Sequence, residues 1–311
     1  MRVLVTGCNG FVGGHLVAEL LGNGYAVFGL DLLENGETNC ETAFIDLLNA
    51  QAVSEYVKAV KPDVVFHLAA QANVGLSWEK PQLTYEVNVL GTINLLEAVR
   101  RLQKPCRVII TGSADQYGLT GLVEKPISET VELTPQNPYA ASKKAVEEIA
   151  DVYMKAYEMD IIKTRSFNHS GPGQGLGFLI PDLCNEIVNI ERGMSDCLKV
   201  GNLEAVRDFS DVRDVVRAYR LLAEKGRSGE VYNVGSGIGR KAQDILDILI
   251  SMSSCEIKVK QDESRMRKSD TPILVCDRTK LHKHTGWVPL RSLDETIKDT
   301  LEYYRHKMRE Q

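Results

Sequence analysis

Apolar residues in this chain gather in short runs separated by longer amphipathic stretches. The runs are Val3-Leu-Val5, Tyr25-Ala-Val-Phe-Gly-Leu30, Ala43-Phe-Ile45, Pro62-Asp-Val-Val-Phe-His-Leu-Ala-Ala70, Arg107-Val-Ile-Ile-Thr111 and Asp160-Ile-Ile-Lys-Thr-Arg165. Each has the length of a buried strand. Between them, 11–21, 52–60, 85–102 and 139–157 carry apolar residues at helical spacing. Strands alternating with helices predict an α/β chain with a doubly wound parallel sheet and right-handed crossovers. Past about residue 166 the rhythm loosens. Short strands are predicted over 197–200, 230–234 and 256–259, and helices over 181–192, 212–224, 241–252 and 293–307.

The first run breaks into Gly7-x-x-Gly10-x-x-Gly13. Such a turn carries a strand sharply into a helix whose N-terminus, with its free N–H groups and dipole, favours a pyrophosphate. The glycines alone leave a plain strand–helix turn as the alternative. Asp31, closing the second run, adds the acid that hydrogen-bonds an adenosine ribose. Its charge repels a 2′-phosphate, and Asp31-Leu-Leu-Glu34 holds no arginine to offset that, which favours NAD(H), with NADP(H) as the alternative. The pattern predicts a Rossmann-type dinucleotide-binding domain over 1–166 and a smaller α/β substrate-binding lobe over 167–311. That boundary is approximate, and segments can interchange across it. The cofactor is expected along Gly7, Gly10, Phe11, Val12, Gly13, Asp31, Asp46, Leu47, Leu68, Ala69 and Ala70.

Composition narrows the partners. The 311 residues are 43% apolar and 25% charged, with a formal net charge of −5 and no basic tract. Nucleic acid and acidic membranes are thereby disfavoured, and an anionic substrate must be caught by a few local arginines. Seven scattered cysteines without a CxxC pair suit neither a disulfide framework nor a zinc site, but do suit a reducing cytoplasm. No leader-like start or membrane-length apolar run stands out, so the expected address is cytoplasmic.

Tyr139-Ala-Ala-Ser-Lys143 sets a tyrosine and a lysine at i and i+4, on one helix face. Ser113 follows the strand 107–111, at the carboxyl edge of the sheet where ligands bind. A tyrosine beside an ammonium can have its pKa lowered and exchange a proton with a carbinol or ketone oxygen, while a nicotinamide exchanges a hydride at the same carbon. Ser113 would hydrogen-bond that oxygen. His67, in an apolar strand tail, reads as a packed residue, and His169 as a loop former. Neither has a metal partner at ligand spacing, and no metal is expected.

Taken together, Thr6-Gly-Cys-Asn-Gly-Phe-Val-Gly13, His67-Leu-Ala-Ala70, Asn88, Ser113 before Tyr117-Gly118, and Pro138-Tyr-Ala-Ala-Ser-Lys143 resemble the extended short-chain dehydrogenase/reductase (epimerase/dehydratase) family. The resemblance makes Ser113, Tyr139 and Lys143 the catalytic set, with Lys143 and Tyr139 also on the cofactor and Asn88 supporting the active-site strands. In the second lobe, 165–174, 200–209, 211–214 and 265–270 resemble its nucleotide-sugar enzymes, in the branch that handles GDP-sugars. That implies a GDP-sugar substrate, with Asn168 and Arg207 and Arg267 at its diphosphate and Gly201 and Asn202 near its base. The first reading is reduction of the C4 ketone of a GDP-4-keto-6-deoxy sugar; a 4,6-dehydratase or a 4-epimerase is the alternative. The dehydratases usually place a glutamate two residues after the catalytic Ser/Thr; here Asp115 stands there, shorter by a methylene. A redox-sensing protein without catalysis would be expected to lack Tyr139 or Lys143. The helices 85–102 and 139–157 resemble those that build a homodimer in this family.

Overall fold

The structure, a computed structural model, describes residues 1–34, 38–119, 126–265 and 272–309. The chain runs β1 (Arg2–Thr6), α1 (Phe11–Gly22), β2 (Ala26–Asp31), β3 (Glu41–Phe44), α2 (Ala50–Val60), β4 (Val64–His67), α3 (Val74–Glu79), α4 (Pro81–Tyr85), a π-helical turn (Glu86–Leu90) and α5 (Gly91–Arg100). β5 (Arg107–Ser113), a 3-10 turn (Ala114–Tyr117), α6 (Pro138–Tyr157) and β6 (Ile161–Ser166) follow. Then come β7 (Asn168–Ser170), α7 (Leu179–Glu191), β8 (Leu198–Val200), β9 (Val206–Asp211), α8 (Val212–Lys225), β10 (Val231–Val234) and β11 (Gly239–Lys241). The chain ends with α9 (Ala242–Ser251), β12 (Val259–Gln261), a 3-10 turn (Glu263–Arg265), β13 (Ile273–Leu274), α10 (Thr279–Thr285) and α11 (Leu293–Lys307).

Seven parallel strands form the main sheet in the order β10-β6-β5-β4-β1-β2-β3. Period-two alternation splits β1 between two cores. Val3 and Val5 pack with Leu16, Leu20, Val215, Tyr219 and Leu222 beneath α1 and α8. Leu4 packs the other way, with Val65, Leu95, Leu96, Val108, Val146 and Ala150 under α2, α5 and α6. The strand order reverses beside β1, between β2 and β4. At such a switch point the loops beyond the strand ends part and leave a crevice.

The chain beyond residue 167 does not stay in the smaller lobe. α8 joins the first core, and β10 extends the main sheet, pairing Val231 with Lys163 and Asn233 with Arg165. The edge of β6 is thus covered, which a strand buried throughout its length requires. The smaller lobe consists of β11-β9-β13, with β7 also on β9, and the pair β12-β8. These pack on α7, α9 and α11 through Ile180, Leu183, Ile187, Phe209, Ile245, Leu249, Ile297 and Leu301. The strand expected over 256–259 starts only at Val259.

Two departures bear on the site. The helix expected over 85–102 is broken by the π-helical turn around Asn88. Asn88 turns inward, accepts from Gln71 N–H (2.7 Å), and donates to Gln71 C=O (3.1 Å) and Ser142 Oγ (2.9 Å). A π turn at such a place re-aims one side chain without ending the helix. Secondly, β6 buries Lys163 and Arg165. They meet Asp151 and Glu147, one turn apart on α6, and so fix the helix against the strand. Among the described residues no helix is long and apolar enough to cross a membrane.

Candidate active site

At the nucleotide end, β1 leaves the sheet through Gly7, whose φ of +71° few side chains tolerate. A Cβ there would lie 2.9 Å from the Ala69 backbone, so this glycine lets the turn touch the end of β4. Gly13 permits a closer approach still, since its Cβ would stand 2.0 Å from Gly7 C=O. Gly10 caps α1 with no side-chain hydrogen bond, and the first turn, with Phe11 and Val12, holds no acid. The dipole end is left open to an anion. Asp31 closes β2 with one carboxylate oxygen accepting from Asn9 N–H and the other from Leu32 N–H, both at 2.8 Å. It thereby braces the glycine turn.

The neighbouring loops end at the same edge. Leu68 N–H donates to Thr6 C=O and Ala69 N–H to Thr6 Oγ1, with Ala70 following at the partly exposed rim. Asp46 accepts from Leu48 N–H, while Leu47 is buried and its carbonyl accepts from Asn94. Phe11 stacks against His169 at 6.3 Å. An uncapped helix start, a close-approach glycine cradle and an acid at the end of β2 fit a dinucleotide.

His67 has the packed role expected of it. Thr92 Oγ1 gives its hydrogen to Asn88 C=O (2.5 Å), so it accepts from His67 Nε2–H (2.8 Å). The Nδ1 lone pair is then left to accept from Thr6 (2.8 Å). Burial, aided by the nearby Lys143 charge, pushes this imidazole down to about 3, so it stays neutral and ties β1 to α5.

At the carboxyl end of β5, Ser113 finishes the strand and caps the 3-10 turn. Its Oγ accepts from Asp115 N–H (3.2 Å), and its own N–H donates to Gln116 Oε1 (2.8 Å). Gln116 Nε2 donates to Glu147 (3.0 Å), which also takes two bonds from Arg165 (3.0 and 2.6 Å). Arg165 in turn donates to Tyr117 OH, which donates to Asn233. A buried ion pair thus holds the Ser113 turn. Glu147 and its pairing with Arg165 escaped the sequence reading, although Glu147 lies at i+8 from Tyr139 on the same helix. Two cationic side chains, Lys163 and Arg165, inside a strand of buried length were the signal that partners had to exist.

Tyr139 and Lys143 rise from the first turns of α6, whose start is capped by Asn137. Tyr139 is partly exposed as a residue, but its hydroxyl sits among packed protein atoms. Burial, then the Asp115 carboxylate, push the phenol above its usual range, against a hydrogen bond from Ser113. The expected downward pull from Lys143 does not dominate. The ammonium points to Thr111 C=O at 2.8 Å, and burial brings it down to about 8.

That shift has a measurable consequence. Free lysine titrates near 10.5. Below pH ~8 both folded and unfolded chains hold the proton, and the fold bears a desolvation cost on the order of 3 kcal/mol. Between about 8 and 10.5 the unfolded chain binds more protons, so stability rises with pH. Denaturant unfolding at pH 7, 8 and 9 is expected to show this rise in the wild type and not in Lys143→Met. Parallel pH profiles for the two would overturn it.

In the smaller lobe, Asn168 opens β7 and is exposed, while the next residue, His169, donates from Nδ1–H to Phe167 C=O (2.9 Å). Arg207 lies on β9 opposite Arg240 of β11, with its guanidinium donating to Val206 C=O (2.9 Å). The adjacent Asp208 is buried and occupied by Ser236, Gly237 and Cys276, on the other face of the strand from Arg207. Gly201 abuts the Arg265 backbone, 2.6 Å from where a Cβ would stand, and Asn202 is exposed beside it. Arg267 lies outside the described residues. No cluster of three or more His, Cys, Asp or Glu that could hold a metal occurs among the described residues.

Comparison with known proteins gives a consistent picture. A family model described as GDP-mannose 4,6 dehydratase matches residues 4–300. The GDP-6-deoxy-D-mannose reductase of Pseudomonas aeruginosa is 32% identical over 311 residues, which is 100% of this chain and 99% of that one. Among solved structures, RMD from Pseudomonas aeruginosa complexed with NADPH has a TM-score of 0.88 at 31% identity, covering 99% of this chain and 100% of that one. UDP-glucose 4-epimerase of Thermus thermophilus, in complex with NAD, has a TM-score of 0.89 at 30% identity, covering 98% and 99%.

Proposed function

We propose, from the premise that the chain belongs to the GDP-mannose 4,6-dehydratase family of extended short-chain dehydrogenase/reductases, that it reduces the C4 ketone of GDP-4-keto-6-deoxy-D-mannose to GDP-6-deoxy-D-mannose. The observation that supports this reading best is the likeness over the whole chain to a GDP-6-deoxy-D-mannose reductase, joined to Ser113, Tyr139 and Lys143 at the carboxyl end of β5 and the start of α6. Tyr139, protonated at neutral pH, is the proton donor that a reductase needs at the oxygen that becomes an alkoxide.

The nicotinamide dinucleotide, when bound, supplies the hydride. This chain's residues do the rest. Ser113 turns its one hydroxyl hydrogen from Tyr139 to the ketone oxygen and so positions it, and Tyr139 passes its proton to that oxygen. Lys143, cationic below about 8, stabilises the negative charge left on the phenolate. Asn168 and Arg207 receive the sugar diphosphate, with Arg267 as the third contact carried over from the family, and Gly201 and Asn202 lie near the base. A planar, permanently charged guanidinium suits that role. Asp31 supports NADH, while a relative of the same length holds NADPH. Exposed Tyr85 and Leu90, on the α4–α5 stretch, and Val152 and Tyr157, on α6, support a homodimer through these helices.

Dehydration of GDP-mannose is the second reading, favoured by the family model itself. It needs a carboxylate that removes the C5 proton, and Asp115 is one methylene short of the usual glutamate. Proton abstraction is sensitive to displacements of about 1 Å. The discriminating experiment follows the absorbance of reduced nicotinamide with purified protein and GDP-4-keto-6-deoxy-D-mannose, using NADH and NADPH separately. Stoichiometric oxidation of one of them is expected. No loss of reduced cofactor would sink the reductase, and turnover of GDP-mannose without net cofactor use would establish the dehydratase.

A further inference from the structure

Cys8 and Cys40 stand far apart in the chain and share one pocket of space beside the glycine turn. Cys8 is fully buried inside the Gly7–Gly10 turn, and Cys40 is partly exposed at the entrance to β3. Between them lies Gly29 of β2. A Cβ on Gly29 would stand 2.5 Å from Cys8 Sγ and 3.2 Å from Cys40 Sγ. Any larger residue there would be wedged between the sulfurs; glycine leaves them free to meet. Both also reach the Thr42 hydroxyl, at 3.7 and 3.5 Å.

We propose that Cys8 and Cys40 are an oxidation site, closing to a reversible disulfide under a peroxide oxidant and thereby weakening dinucleotide binding. The roles differ by chemistry. Cys40 is the sulfur solvent can reach, and the neighbouring Cys8 thiol first, then the Thr42 hydroxyl 3.5 Å away, bring its thiol down to about 6, in the thiolate range at neutral pH. Cys8 is pushed up by that same contact and by burial, so it keeps its proton. A low-pKa, reachable sulfur next to a second thiol is the arrangement of peroxide-responsive pairs.

The electrons balance. Cys40 thiolate attacks one peroxide oxygen, the O–O bond breaks, and Cys40 becomes a sulfenic acid as hydroxide leaves. Cys8 sulfur then attacks Cys40 sulfur; the S–S bond forms, the S–O bond breaks, and the second hydroxide departs. With the protons of Cys8 and solvent, two waters result. Two thiols lose two electrons and the peroxide gains them.

The disulfide would act on the nucleotide end. Asn9, next to Cys8, is held by Asp31 at its N–H and by Thr38 at its Oδ1 (2.7 Å), and Thr38 lies two residues before Cys40. Pulling the two sulfurs to bonding distance, about 2.05 Å, drags this turn toward β3. The consequence rests on the dinucleotide reading; the bond itself does not.

The test uses the purified full-length protein, treated with hydrogen peroxide and then alkylated. Trypsin leaves both cysteines on one fragment, 3–58, so a glutamate-specific protease cutting after Glu19 and Glu37 is needed to separate them. The expected result is a linked Cys8–Cys40 peptide pair, released by dithiothreitol. NAD(P)H affinity, read by fluorescence, should fall about tenfold and recover on reduction. Cys40→Ser and Cys8→Ser proteins should each show no oxidant-dependent fall. Cys40 recovered as a sulfinic acid with Cys8 alkylated, or a linked pair with unchanged affinity, would overturn the proposal. If the reduced protein binds no dinucleotide, the nucleotide reading fails, and the peptide pair still decides whether the bond forms.

Discussion

Replacing Tyr139 with phenylalanine is expected to lower turnover of the proposed reduction about 10³-fold, within the range general acid catalysis supplies, while dinucleotide affinity stays within about twofold. The substitution removes only the hydroxyl. The ring still fills its place on α6, and the Asn137 cap and the Lys143 bond to Thr111 are untouched. What is lost is the proton that burial and Asp115 hold on the phenol. Folding should not suffer, because a desolvated hydroxyl is removed from a packed setting. Ser113→Ala should cost less, since Ser113 positions the oxygen and transfers no proton to it, and its backbone N–H keeps the bond to Gln116. Steady-state kinetics with a separate fluorescence titration of the cofactor tests both. Undiminished turnover in Tyr139→Phe would remove this residue from the mechanism, and a parallel loss of cofactor affinity would show that the ring was binding rather than reacting.

The parts of this molecule legible in its sequence are those where a local pattern has one structural meaning. The apolar runs became strands, and α11 begins and ends where its periodicity predicts. Gly7, Gly13 and Asp31 converge at the end of β1 and β2 because the parallel sheet puts every strand's carboxyl end on one edge. Less legible were features set by contact. The break in the helix at Asn88 depends on Gln71 and Ser142, neither of which lies within one helical turn of it. The return of β10 to the main sheet depends on the open edge of β6. The protonation state of Tyr139 depends on how deeply its hydroxyl is packed and on where Lys143 points, and the Tyr-x-x-x-Lys spacing carries neither quantity. Cys8 and Cys40 looked merely scattered, because their meeting requires the β1–β2–β3 register and the absence of a side chain at Gly29.

Adjacent glycines in α1 provide the strongest test of the nucleotide turn. Gly13→Ala is expected to destabilise the protein by about 4 kcal/mol, at the upper end of single substitutions, and to abolish measurable dinucleotide binding. The new Cβ would stand 2.0 Å from Gly7 C=O and 2.8 Å from both Cys8 Cα and its carbonyl carbon. All three are backbone atoms, so no side chain can swing aside. Relief comes only by lifting α1 from the turn, which moves the helix start away from the place proposed for the pyrophosphate. Gly14→Ala is the matched control. A Cβ there meets nothing within 4 Å, and the position is inside the helix. Alanine at such a site typically adds about 0.5–1 kcal/mol by restricting the unfolded chain and favouring the helix. Denaturant unfolding and cofactor titration of the two variants should therefore move in opposite directions in stability, with binding lost in only one. Equal behaviour of the pair would mean that the tight contact between Gly13 and Gly7 does not govern this turn.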